Sequence, residues 1–107
     1  MHRHVSLLLL LFLIVCGPAG EARQQQIKGQ VVNRDGVPQQ CQVDFYIGSN
    51  PNPVWRLTSD KDGHFYINNP KDGGYRVVVV QGSQQDEFKR VSIDQYGLHP
   101  ATLVVRW

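Results

Sequence analysis

The sequence predicts an all-β domain, an antiparallel sandwich of about seven strands, preceded by a segment that does not belong to the fold. Two observations carry the fold class. From Ile27 onward, short apolar segments recur roughly every 8 to 12 residues, separated by clusters of Gly, Pro, Asn and Asp. None of these segments has the 3.6-residue periodicity of an amphipathic helix.

The first segment, Ile27 to Val32, ends at Asn33-Arg34-Asp35-Gly36-Val37-Pro38, where Asp-Gly supplies a positive-φ turn and Pro38 stops the ladder. The second alternates: Cys41, Val43, Phe45 and Ile47 face one way, Gln42, Asp44 and Tyr46 the other. One face therefore belongs to a core, and Cys41 points into it. A Pro- and Asn-rich loop, Gly48 to Pro53, leads to a third strand with Trp55 and Leu57 in register. Asp60-Lys61-Asp62-Gly63 is expected to close a hairpin, with Gly63 at the left-handed position, into His64-Phe65-Tyr66-Ile67. Phe65 and Ile67 should be buried there, His64 and Tyr66 exposed. Tyr75 to Val80 is apolar on both faces, which marks a central strand. After the polar stretch Gln81 to Asp86, a sixth strand is expected from Phe88 to Ile93, a loop or single helical turn from Tyr96 to Pro100, and a last strand from Thr102 to Trp107. The expected core is Val31, Val43, Phe45, Ile47, Leu57, Phe65, Ile67, Val77, Val79, Val91, Ile93, Leu103 and Val105.

The N-terminus has a different character. Met1-His2-Arg3-His4 is weakly cationic, Val5 to Val15 is apolar, and Gly17 to Ala22 places small residues where a signal peptidase cuts. This is the order of a secretory signal, with residues 1–22 removed after Ala22, or after Ala19, and residues 23–107 left as one domain. An apolar run of about 11 residues falls short of the roughly 20 needed to cross a bilayer, so no transmembrane span is expected. Lipidation at Cys16 is the alternative, although Val15 stands where a lipobox prefers Gly, Ala or Ser. The protein is expected to be periplasmic or extracellular.

Processing removes Arg3 and Glu21 together, so the net charge of +2 is unchanged. The charges are scattered, with Lys89-Arg90 the densest basic spot, and no basic stripe of the kind a nucleic-acid partner requires is visible. Cys16 goes with the signal. Cys41 then has no partner for an intramolecular disulfide, and the core alone must hold the fold.

Several residues stand at spacings beyond generic strands: Gly29-x-Val31, Asp35-Gly36-x-Pro38, Val43, Ser59-Asp60-x-x-Gly63-x-Phe65, and Gly74-Tyr75-x-Val77-x-Val79 before Gly82. In this order they resemble the carboxypeptidase regulatory-like domain, a transthyretin-like seven-stranded sandwich related to the collagen-adhesin B-type repeats. The resemblance covers most of Lys28 to Gly82 and implies an Ig-like module without catalysis. Physically, Gly36 and Gly63 answer to positive φ, Phe65 leads its strand into the core, and Tyr75 can bury its ring while its hydroxyl caps a backbone group.

No combination of the chemistry-bearing residues completes a catalytic set, and no enzyme is expected. A transthyretin-related hydroxyisourate hydrolase would need histidines with an arginine and a Tyr-Arg-Gly-Ser-type tail. This chain ends Leu103-Val104-Val105-Arg106-Trp107 and retains only His64 and His99. An isopeptide crosslink would need a core lysine, but Lys28 has the opposite parity to Ile27 and Val31, and the last strand lacks Asn or Asp. Asp60-Lys61-Asp62-Gly63 lacks the continuation of a calcium loop and reads as a β-turn. Cys41 faces the core, where a thiol is a poor nucleophile. No metal or other cofactor is expected.

Binding remains. Tyr46, Tyr66, Val78 and Val80 point away from the core by parity and form the candidate surface, while Trp107 closes the core or forms a tip. The first functional expectation is a non-catalytic module that contacts an unidentified protein partner through Val78 and Val80. The second is a carbohydrate- or small-ligand-binding module that uses Tyr46 and Tyr66.

Overall fold

The computed structural model describes residues 25–107; the signal segment expected over 1–22, with Cys16, Ala19 and Ala22, lies outside the described residues. The described chain forms eight strands: β1 (Gln26–Val32), β2 (Gln42–Tyr46), β3 (Trp55–Thr58), β4 (His64–Asn68), β5 (Gly73–Gln81), β6 (Gln84–Asp94), β7 (Gly97–His99) and β8 (Thr102–Val104). They make a sandwich of a three-stranded sheet, β4-β1-β8, and a five-stranded sheet, β3-β2-β5-β6-β7. Every pairing within these sheets is antiparallel except β1 with β8, which is parallel. The all-β sandwich expected from the turn spacing is present, and β5 is the central strand of the larger sheet.

Alternation along the strands builds the core. Val31, Val43, Phe45, Phe65, Ile67, Val77, Val79, Val91, Ile93, Leu103 and Val105 are all buried, joined by Ile27, Val32, Cys41, Tyr75 and Leu98. Phe45 lies at the centre, its ring centroid 5.5 Å from that of Trp55, 5.8 Å from Tyr75 and 6.0 Å from Phe65 across the sheet gap. These tilted and edge-on contacts suit the ring quadrupoles. Two expected core residues depart from the pattern. Ile47 is 46% exposed because β2 ends at Tyr46 and the chain turns at Gly48, whose φ is 57°. Leu57 is half-buried because β3 is an edge strand.

Other departures concern connections. Asp60 to Gly63 does not close a hairpin: β3 pairs with β2 in one sheet and β4 with β1 in the other, so this turn carries the chain across the sandwich. The sixth strand begins at Gln84 rather than at Phe88, because Gly82, at φ 62°, lets Gln81 pair with Gln84 in a tight hairpin. Gly97 to His99 is a short strand against β6 rather than a loop or helical turn. The last strand stops at Val104, and Trp107 packs partly buried against the core, its indole N–H donating to Gln81 Oε1 at 2.9 Å.

Two loops share one wiring. In the first, Asn33 Oδ1 accepts from the amides of Asp35 and Val37, each at 2.9 Å; in the second, Asp60 Oδ1 accepts from those of Asp62 and His64, also each at 2.9 Å. Gly36 donates to the carbonyl of Asn33 and Gly63 to that of Asp60, with φ of 83° and 79°. The loops abut: Val31 donates to the carbonyl of Gly63 and accepts from the amide of Gln39. A Cβ on Gly63 would stand 2.5 Å from the Val31 carbonyl oxygen, so this position needs glycine for space as well as for φ.

Candidate binding face

The outward face of the five-stranded sheet carries a cross-strand arrangement of polar side chains around Tyr46. Register sets it. Asp44 is paired with Arg56 on β3 and Val78 on β5, Tyr46 with Arg76, Gln42 with Val80, and Val78 with Glu87 on β6.

Asp44 points away from the core as expected, but it is only 3% exposed. Arg56 lies over it, its Nε 3.1 Å from Oδ1 and its Nη2 3.3 Å from Oδ2, and Gln42 Nε2 donates to Oδ2 at 3.0 Å. This bidentate fork satisfies a carboxylate that the neighbouring strands would otherwise desolvate without a partner. The hydrogen bond and charge of Asp44 push the Arg56 guanidinium above its ordinary value. Beside this pair, the Arg76 guanidinium sits 4.4 Å from the centroid of the Tyr46 ring and 3.5 Å from Glu87 Oε2. Tyr46 is therefore half-covered by a cation. Val78 and Val80 are half-buried between these polar columns.

The ladder is irregular where β5 meets β6. Tyr75 pairs with Val91 and Val77 with Phe88, so Lys89 and Arg90 together oppose the single residue Arg76. This is a β-bulge, which twists the strand and re-aims its side chains. A shallow hollow of about 590 Å³ opens there, lined among others by Arg76, Lys89, Arg90 and Ser92, with Gly48 and Gly74 baring backbone.

The structure separates the four expected surface residues. Tyr46, Val78 and Val80 share this face. Tyr66, 42% exposed, is on β4 in the other sheet and looks out from the opposite side of the sandwich, so the two tyrosines cannot form one platform. Sequence parity does not reveal the bulge cluster. Lys89-Arg90 is conspicuous in the sequence, but Arg76 joins it only through a register shift that no local pattern announces.

The remaining chemistry-bearing groups have structural occupations. Ser59, fully buried, donates to the Gln39 carbonyl at 2.7 Å and accepts from the Cys41 amide at 2.8 Å, tying the segment before β2 to the end of β3. Burial pushes the Cys41 thiol up, with the Ser59 hydroxyl partly offsetting it. The Tyr75 hydroxyl donates to the Lys71 carbonyl, and burial, with Asp72 nearby, pushes its phenol up. The amide of His64 above all, with that of Asp62, holds the Asp60 carboxyl below its ordinary value. Asp94 Oδ1 lies 2.9 Å from His99 Nε2 and accepts from the Tyr96 amide, and these contacts lower its value likewise. His64 and His99 are on different sheets, and Lys28 is exposed on β1. Among the described residues no group of three or more His, Cys, Asp or Glu is placed to hold a metal ion, and no helix is long and apolar enough to cross a membrane.

No protein-family model and no curated protein matches the chain. Among solved structures, the chain is similar to the major pilin subunit of Bacillus cereus, with a TM-score of 0.44 and 12% identity over 79% of this chain. The chain spans 28% of that subunit's length.

Proposed function

We propose that residues 23–107 form a non-catalytic interaction module, exported to the periplasm or cell exterior after removal of residues 1–22, that docks a protein partner through the outward face of its five-stranded sheet. The observation that carries this reading is the division of labour among side chains. Ser59, Cys41, Asp60, Tyr75 and the Asp94–His99 pair are engaged in holding turns and strands, whereas Val78 and Val80 lie outward on a sheet face bordered by polar residues. A sheet face on which half-buried Val78 and Val80 stand between polar columns has an apolar strip with a polar rim, the anatomy of a protein-docking surface.

The carboxypeptidase regulatory-like resemblance agrees with this reading, because its residues coincide with parts of the fold. Ser59 ties two segments together, Asp60 and Gly63 form the crossing turn, Phe65 covers Gly29, and Tyr75 caps Lys71. In each case the motif residue does a structural job. The experiment is capture of the tagged, exported protein with covalent crosslinking in the producing cell, comparing wild type with Val78→Lys and Val80→Lys. The reading expects a discrete adduct lost in both variants while their melting stays cooperative; an adduct that survives both substitutions overturns it.

A second reading, a carbohydrate-binding module, is favoured by the placement of Tyr46 on the same face with Arg76 against its ring. It expects glycan binding that is lost in Tyr46→Ala and kept in Tyr66→Ala, which alters the opposite face.

A further inference from the structure

We infer that the hollow at the β5–β6 bulge is a binding site for an acidic oligosaccharide, held by Arg76, Lys89 and Arg90. Residues directly opposite across an antiparallel pair interact most strongly, and like charges there are destabilising. Here the register shift sets two cations against one: Lys89 and Arg90 on β6 oppose Arg76 on β5. Arg76 has partial compensation from Glu87 and from the Tyr46 ring. Among the described residues neither Lys89 nor Arg90 forms an ion pair with a carboxylate. A sheet that gathers three cations at an irregularity, with one carboxylate in reach, leaves positive charge for something outside the chain to neutralise.

The shape of the site narrows the ligand. The hollow is open and about 590 Å³, wider than a single small anion fills. Its surface is bared by Gly48 and Gly74, neither of which has a neighbour within 4 Å of where a Cβ would stand, so a chain can pass close to the backbone. A lone anion in such an open, hydrated trough gains little from each exposed cation. A ligand with several anionic groups along a chain engages all three at once, and the Ser92 side of the hollow adds polar lining. The Tyr46 ring, 4.4 Å from the Arg76 guanidinium, holds that cation in place at the side of the cluster. The cluster is compact rather than a stripe following a phosphate backbone, which places nucleic acid behind an acidic sugar chain.

This inference shares a face with the protein-docking reading but does not depend on it: Val78 and Val80 are outside the hollow's lining, so either can fail alone. The test measures binding of a heparin octasaccharide to the full exported protein at low and physiological salt. A neutral dextran oligomer and a single-stranded oligonucleotide of matched charge serve as competitors. Lys89→Gln with Arg90→Gln should weaken binding at least tenfold with melting unchanged within a few degrees. Lys61→Gln with Lys71→Gln, which removes the same charge elsewhere, should weaken it less than threefold. Equal losses in the two double variants would reduce the effect to net charge and overturn the site. Absence of octasaccharide binding, or displacement by the oligonucleotide at equal or lower concentration, would overturn the ligand class.

Discussion

Replacing Gly29 by alanine tests the packing on which the whole sandwich rests. Gly29 is paired with Phe65 across β1 and β4, and the Phe65 ring lies over the bare glycine. An added methyl would overlap Phe65 Cζ and stand 2.7 Å from its Cε1 and 2.8 Å from Leu98 Cδ2. Both neighbours are buried, Phe65 at 1% exposure and Leu98 at 3%, so neither can swing into solvent. Overpacking of this kind costs about 1 to 3 kcal/mol, and a clash with two immobile groups belongs at the upper end. The alanine also restricts the unfolded chain, which returns about 0.4 to 1 kcal/mol. The expected net loss is therefore about 2 kcal/mol, a fall in Tm of about 8 to 16 °C for a domain of this size. Thermal denaturation of wild type, Gly29→Ala, Phe65→Leu and the double variant reads it directly. The smaller side chain at 65 should relieve the clash, so the double variant should be more stable than the sum of the single effects by about 0.5 to 3 kcal/mol. A Gly29→Ala protein that melts at or above wild type, or strict additivity with Phe65→Leu, would refute the placement of Phe65 over β1.

Other expectations follow from the same contacts. Ser59→Ala leaves the Cys41 amide and the Gln39 carbonyl without their side-chain partner in a buried site and should cost about 1 to 3 kcal/mol by urea denaturation, whereas Ser59→Thr tests whether the hydroxyl alone suffices. Val79 is fully buried, so Val79→Asp would place an unpaired charge in the core and abolish the cooperative transition; a cooperative melt would contradict its position. Asp60 and Asp94 have carboxyls lowered in the folded state, so the stability they add is complete above the ordinary aspartate value of 3.8 and is lost as pH falls below it through the lowered values. Denaturation between pH 2 and 7 should show that loss. It should shrink in Asp60→Asn, because Asn33 makes the same two backbone contacts in the sister loop with a neutral amide. Asp60→Ala should be less stable than Asp60→Asn at pH 7, and the reverse order would show that the carboxyl does not cap the turn.

Local periodicity carried the fold class and most of the core, because in a strand one residue's parity decides its face. Phe65, Ile67, Val77 and Val79 are buried for that reason, and Ile47 is not because the strand ends one residue before it. Sheet membership was illegible at the Asp60 turn: a left-handed glycine serves a hairpin and a crossing equally well, and only the pairing of β4 with β1 separates them. The short strand at Gly97 to His99 has one buried side chain, Leu98, too few to show an alternation. On the binding face, outward parity identified Tyr46, Val78 and Val80, but parity cannot say which side of a two-layer molecule a residue occupies relative to a residue in another sheet. Parity therefore groups Tyr66 with Tyr46 although the core lies between them. The fork of exposed Arg56 on the buried Asp44 carboxylate and the three cations at the bulge depend on cross-strand register, which is a tertiary property.

On the proposed reading, the outward face of the five-stranded sheet, and not the opposite face, is where the protein binds. Site-specific photocrosslinking in the producing cell tests it most directly, with a photoreactive amino acid placed in turn at Val80 and at Tyr66. A discrete adduct from position 80 and none from position 66 is the expected result. An adduct from position 66 alone, or none from either position in protein that is exported and folded, would contradict the claim.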